Sequence, residues 1–63
     1  KNKKIDALDL GCGDGFIGLN VYKKKRETIN NFYFSDLSKK AIIKCKKNAK
    51  KNKLKIIAKC GRV

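Results

Sequence analysis

The stretch Leu8 to Leu19, "LDLGCGDGFIGL", decides the fold. An apolar run from Ile5 to Leu10, interrupted by Asp6 and Asp9, breaks into four glycines within eight residues: Gly11, Gly13, Gly15 and Gly18. Glycine reaches left-handed backbone conformations that a Cβ disfavours, so Gly11 to Gly15 predicts a tight loop. The run ahead of it predicts a short strand. Behind it, Phe16, Ile17, Leu19, Val21 and Tyr22 have helical spacing, which predicts a helix from about Gly15 to Lys25. A strand–glycine–helix junction of this kind brings bare main chain up to a ligand and aims N–H groups at it.

Working outward, "KKKRETINN" (23–31) has Ile29 as its one apolar residue and predicts a solvated turn. "FYFSD" (32–36) is aromatic, ends in an acid, and predicts a second strand. Ser38 stands where a helix N-cap belongs. Ala41, Ile42, Cys45 and Ala49 then share one face, with lysines on the other, to about Asn52. "LKIIAKC" (54–60) predicts a third strand. The order β-α-β-α-β makes neighbouring strands parallel, with right-handed crossovers: the N-terminal half of a doubly wound α/β sheet. Both helices are expected on one sheet face. Parallel sheets are usually covered on both, so residues 1–63 are expected to be part of a larger domain.

Composition bounds the rest. A chain of 63 residues buries only roughly 60% of its unfolded surface. Three cysteines without metal spacing, and no histidine, argue against a disulfide framework or a metal site and fit a reducing cytoplasm. No stretch is apolar for long enough to span a bilayer, and no secretory signal pattern is present. A net charge of +13 points toward nucleic acid or an anionic surface. Sixteen lysines, two arginines and six asparagines also match A/T-rich coding, so charge alone does not decide function.

"GDGFIG" (13–18) matches the dinucleotide fingerprint G-x-G-x-x-G, and Asp36 lies 21 positions beyond Gly15, near the expected ribose-binding acid. The register matters more than the match. Asp9 and Asp14 flank the loop, and a pyrophosphate there would set like charges a few ångströms apart, at a cost on the order of several kcal/mol. A cationic nucleoside without phosphate removes that objection. S-adenosylmethionine is such a ligand.

"ALDLGCGDGFIGL" resembles motif I of class I S-adenosylmethionine-dependent methyltransferases, and "FYFSDLSKKAI" resembles the acidic-loop motif that follows it. The likeness runs from Ile5 to Gly61. It implies a Rossmann-like methyltransferase fold with S-adenosyl-L-methionine as cofactor. By that resemblance the loop Gly11, Cys12, Gly13, Asp14 and Gly15 wraps the methionine and ribose portions. Asp9 lies near the amino-acid end, Asp36 accepts from the ribose hydroxyls, and Leu37 packs on adenine. "GFIGL", "SDLS" and "KNAKKNKLKI" (47–56) are similar to the protein-(glutamine) methyltransferases of peptide chain release factors. That family implies protein methylation in translation termination. Relatives in the same branch methylate ribosomal RNA or DNA amines. The Asn-Pro-Pro-Tyr motif that holds the acceptor in this branch is not in these 63 residues, so no catalytic residue is assigned and residues 1–63 alone are expected to be inactive. At Gly61-Arg62 the sequence departs from the family's frequent Gly-Asp.

Two rivals remain at this level: an NAD-dependent oxidoreductase, and a basic nucleic-acid-binding module without catalysis. Cys12 is expected to be a small loop filler, and Cys45 and Cys60 core residues. Phe32, Tyr33 and Phe34 are expected to pack in the sheet rather than stack on bases.

Overall fold

The computed structural model describes residues 3–61. Five elements follow in order: β1 (Ile5–Leu10), α1 (Phe16–Lys24), β2 (Ile29–Asp36), α2 (Lys39–Lys51) and β3 (Ile57–Cys60). The strands form one sheet in the order β1-β2-β3, and both pairings are parallel. This is the expected half of a doubly wound sheet.

The core lies between the sheet and the helices. Leu19 and Tyr22 of α1, Cys45 and Ala49 of α2, and Phe32 and Phe34 of β2 form one buried cluster with Ile29 and Leu54. Phe32 stacks on Phe34 with ring centroids 4.6 Å apart, and Tyr22 tilts against Phe32 at 5.3 Å. Phe34 is 1% exposed, and burying a side chain of that size contributes about 1.5–3 kcal/mol. Phe32 and Phe34 are thus packing material, as the sequence predicts, while Tyr33 is half-buried on the other face beside Leu8 and Ile57. Both helices cover the same face, while Leu8, Leu10 and Ile57 stay exposed on the other.

Two strand boundaries differ from the sequence reading. The second strand starts at Ile29, not Phe32. Ile5 pairs with Ile29 but Ala7 with Phe32, so β2 holds an extra residue there and the register shifts. That bulge lets Ile29 and Phe32, three apart, both turn inward, which simple alternation forbids. The Asn31 N–H and side-chain amide both donate to the Asp6 carboxylate, at 3.2 and 3.3 Å.

The third strand starts at Ile57, not Leu54. Leu54 instead folds back to close α2: its N–H donates to the Ala49 carbonyl at 2.9 Å, and Lys53 takes a left-handed φ of 56°. This is the geometry by which helices satisfy their last carbonyls. Cys60, expected in the core, is exposed, because β3 is an edge strand with its last residue beyond the cover of α2. Cys45 is buried as expected. Ser38 caps α2, its hydroxyl accepting from the Ala41 N–H at 3.2 Å.

Candidate cofactor site

The glycine loop sits at the C-terminal ends of β1 and β2, where a crossover leaves backbone groups free to meet a ligand. Gly11, Gly13 and Gly15 have φ of 68°, 59° and 81°. A Cβ at Gly11 or Gly13 would meet nothing within 4 Å, so the space before them is open. Gly15 differs. A Cβ there would stand 2.5 Å from the Cys45 Sγ, because this residue lets the loop settle onto α2. The Asn48 side-chain amide of α2 also donates to the Asp14 carbonyl, at 2.9 Å.

Asp36 ends β2 beside the loop. One carboxylate oxygen accepts from the Gly13 N–H at 2.9 Å and the other from the Ser38 N–H at 2.8 Å. These bonds favour the ionised form, and the Ser38 N–H, followed by that of Gly13, holds the carboxyl below its usual range. Each oxygen keeps a lone pair for a further donor.

The loop's own N–H groups are largely engaged. Cys12 donates to the Ser35 carbonyl, Gly13 to Asp36, Gly15 to the Cys12 carbonyl and Phe16 to the Asp14 carboxylate. Two of those four acceptors are carboxylates. A nest that binds pyrophosphate needs such groups free and uncompensated. This loop binds its own acids instead.

A cavity of ≈ 560 Å³ opens beside Asp36. Gly11, Asp36, Leu37 and Gly61 form its rim at the strand ends, and Leu8, Leu10 and Ser35 line it along the uncovered sheet face. Leu37 is 76% exposed there. Of the expected cofactor residues, Gly11, Asp36 and Leu37 therefore meet around one cavity, with Gly13 joined to them through Asp36. Cys12, Asp14 and Gly15 do not line that cavity: Cys12 packs against the core, Gly15 against Cys45, and the exposed Asp14 carboxylate accepts from the Phe16 N–H at the start of α1. Asp9 faces the helices instead, its carboxylate under Gly18, and burial pushes its pKa up. Burial likewise raises the Cys12 thiol and pushes Cys45 up to about 12. Neither is a poised nucleophile.

Gly18 has a role that its place in the fingerprint only hints at. A Cβ on it would stand 2.5 Å from Phe34 Cε2 and 2.6 Å from Asp9 Oδ2. It is the point at which α1 presses on the sheet. Asn48 had no signal in the sequence beyond its place on an otherwise lysine-rich helix. Arg62, at the departure from Gly-Asp, lies outside the described residues.

Residues 1–62 match the family model of the methyltransferase small domain. The chain belongs to that family. Among solved structures it is similar to an S-adenosylmethionine-dependent methyltransferase from Clostridium acetobutylicum, at 28% identity and a TM-score of 0.78 over 90% of this chain. It also superposes on the YcgJ protein from Bacillus subtilis, at 16% identity and a TM-score of 0.77 over 95% of this chain. The second likeness is one of fold. The methyltransferase small domain chain spans 22% and 24% of those two solved chains. No curated protein matches it. Its β-α-β-α-β sheet is the N-terminal half of the methyltransferase Rossmann-like fold.

The family implies S-adenosylmethionine, and the residues present fit it. Left-handed glycines leave room at the loop, a fixed carboxylate with spare lone pairs suits ribose hydroxyls, and Leu37 offers an apolar surface beside them. Among the described residues no helix is long and apolar enough to cross a membrane, and no His/Cys/Asp/Glu cluster suits a metal ion.

Proposed function

We propose that this chain holds S-adenosylmethionine for a methyltransferase whose acceptor is a glutamine side-chain amide of a peptide chain release factor. The observation that carries the cofactor half is the Asp36 carboxylate, locked by two N–H groups at the mouth of a glycine loop whose Cys12, Gly15 and Phe16 N–H groups are also internally bonded. A loop so occupied favours a cationic nucleoside over a dinucleotide pyrophosphate, which speaks against NAD. The acceptor rests on the sequence resemblance through "GFIGL", "SDLS" and "KNAKKNKLKI".

When bound, the cofactor supplies an electrophilic methyl on a sulfonium. The residues of this chain do the holding. Asp36 orients the ribose through charge-assisted hydrogen bonds, Leu37 covers one side of the adenine, and Gly11 and Gly13 keep side chains out of the methionine path. An amide nitrogen is a weak nucleophile, so fixing the methyl donor in line with it contributes much of the rate. No described residue is assigned to the acceptor side.

The test incubates the intact protein carrying this chain with methyl-labelled S-adenosylmethionine and either a release factor or ribosomal RNA. Label on a glutamine amide of the release factor, located by mass spectrometry, supports the reading. Label on RNA alone replaces the acceptor with a nucleobase amine and leaves the cofactor half standing. Binding of NAD without S-adenosylmethionine overturns both.

A further inference from the structure

We propose that the end of the domain opposite the glycine loop is a docking surface for the phosphate backbone of a nucleic acid. Both helices begin at the loop and finish at the other end, where two hydrogen bonds tie their finishing segments together and a third joins the start of β1 to the turn after α1. The Lys23 Nζ donates to the Asn52 side-chain oxygen at 3.2 Å, the Arg26 guanidinium to the Lys53 carbonyl at 3.1 Å, and the Ile5 N–H to the Thr28 carbonyl at 2.8 Å. Lys4, the run Lys23 to Arg26, and Lys50, Lys51 and Lys53 are thereby brought to one end from three separate parts of the chain.

The acids are distributed the other way. Asp9, Asp14 and Asp36 stand at the loop end; Glu27 and Asp6 are the two at the basic end, and the Asp6 carboxylate is taken up by Asn31. Lysines in a helix's last turn favourably meet its dipole, which accounts for Lys23, Lys24, Lys50 and Lys51. It does not account for Lys25, Arg26 and Lys53, which continue the cluster past the helix ends. A shallow cleft of ≈ 470 Å³ is lined by Lys23 to Thr28.

The segments "KKKRET" (23–28) and "KKNK" (50–53) contain no apolar residue. A membrane-surface element sets an apolar face beside its cations, whereas a phosphate backbone asks for cations and amide donors alone. The nucleic acid is the better fit. At 1.5 Å per residue α2 is about 20 Å long, so an anchored strand leaves the loop end free. The proposal is independent of which group accepts the methyl.

The test measures binding of the intact protein to a short mixed-sequence RNA hairpin between about 50 and 200 mM salt. Neutralising about four phosphates gives a log–log slope of about −3. The variant K24Q/K25Q/K50Q/K51Q is expected to lose about tenfold or more in affinity at low salt and to show a shallower slope. The variant K39Q/K40Q/K44Q/K46Q removes the same charge from the other half of α2 and is expected to keep most of the binding. Both should keep the wild-type circular dichroism spectrum and cofactor affinity. Equal losses in the two variants make the effect one of bulk charge and overturn the proposal. So does absence of salt-dependent binding, and so does tighter binding to phosphatidylserine vesicles than to RNA.

Discussion

The Gly13 N–H and the Asp36 carboxylate, 23 residues apart, meet at 2.9 Å. That one bond joins the start of the first crossover to the end of the second strand and fixes the carboxylate before any ligand arrives. Preorganisation of this kind spares a ligand the entropy of ordering its site.

Asp36 and Asp9 should titrate on opposite sides of 3.8, the ordinary value for both. Asp36 is depressed by the N–H groups of Ser38 and Gly13, so its stabilising effect is present above 3.8 and is lost as pH falls through its folded value. Asp9 is raised by burial, so its carboxylate weighs against the fold once pH rises through its folded value. Carboxyl carbon NMR shifts followed from pH 7 to below 3 report both midpoints. Asp9→Asn is expected to raise the melting temperature at pH 7, with the gain shrinking as pH falls through the Asp9 midpoint.

Gly18→Ala and Gly11→Ala should fail for different reasons. Gly18 has no positive φ, and its added methyl meets Phe34 and Asp9, so an overpacking loss of about 1–3 kcal/mol in a urea melt is expected with cofactor affinity reduced only indirectly. Gly11 has open space before it but a φ of 68°, so Gly11→Ala is expected to cost about 1–2 kcal/mol of backbone strain and to weaken cofactor binding directly. Equal melts for Gly18→Ala and wild type would remove the close approach of α1 to the sheet.

Thiol labelling should rank the cysteines. Cys60 is exposed, Cys12 is half-buried with a raised pKa, and Cys45 is buried and pushed up to about 12. With a thiol reagent at pH 8, Cys60 is expected to react first and Cys45 only on unfolding. Rapid labelling of Cys45 in the native protein would contradict the packing of α2 on the loop.

How much of this was legible in the residues follows from the kind of signal each carries. β1 was readable to the residue, because an apolar run stopped by glycine has two sharp ends, and α1 was readable to within one residue at each end. The start of β2 was hidden: a bulge at Asn30 and Asn31 places polar residues inside a strand, and only the pairing with Ile5 shows it. Leu54 looked like strand and serves as a helix closure, since the left-handed turn at Lys53 carries no glycine to announce it. At the site, the glycines and Asp36 were legible as a motif. The position of Asp9 was legible only through alternation, which sets it with Ala7 on the helix side. Cys60 misled because an apolar strand end does not reveal whether a helix reaches over it.

The most direct measurement is calorimetric titration of S-adenosylhomocysteine into the intact protein and into its Asp36→Asn and Asp36→Ala variants. Wild-type binding is expected, weakened by about 10- to 100-fold in both variants as charge-assisted bonds worth about 1.5–3 kcal/mol are lost, with each variant still folded by circular dichroism. Unchanged affinity in a folded Asp36→Ala protein, or no heat from the wild type, would contradict the assignment of this loop to the nucleoside.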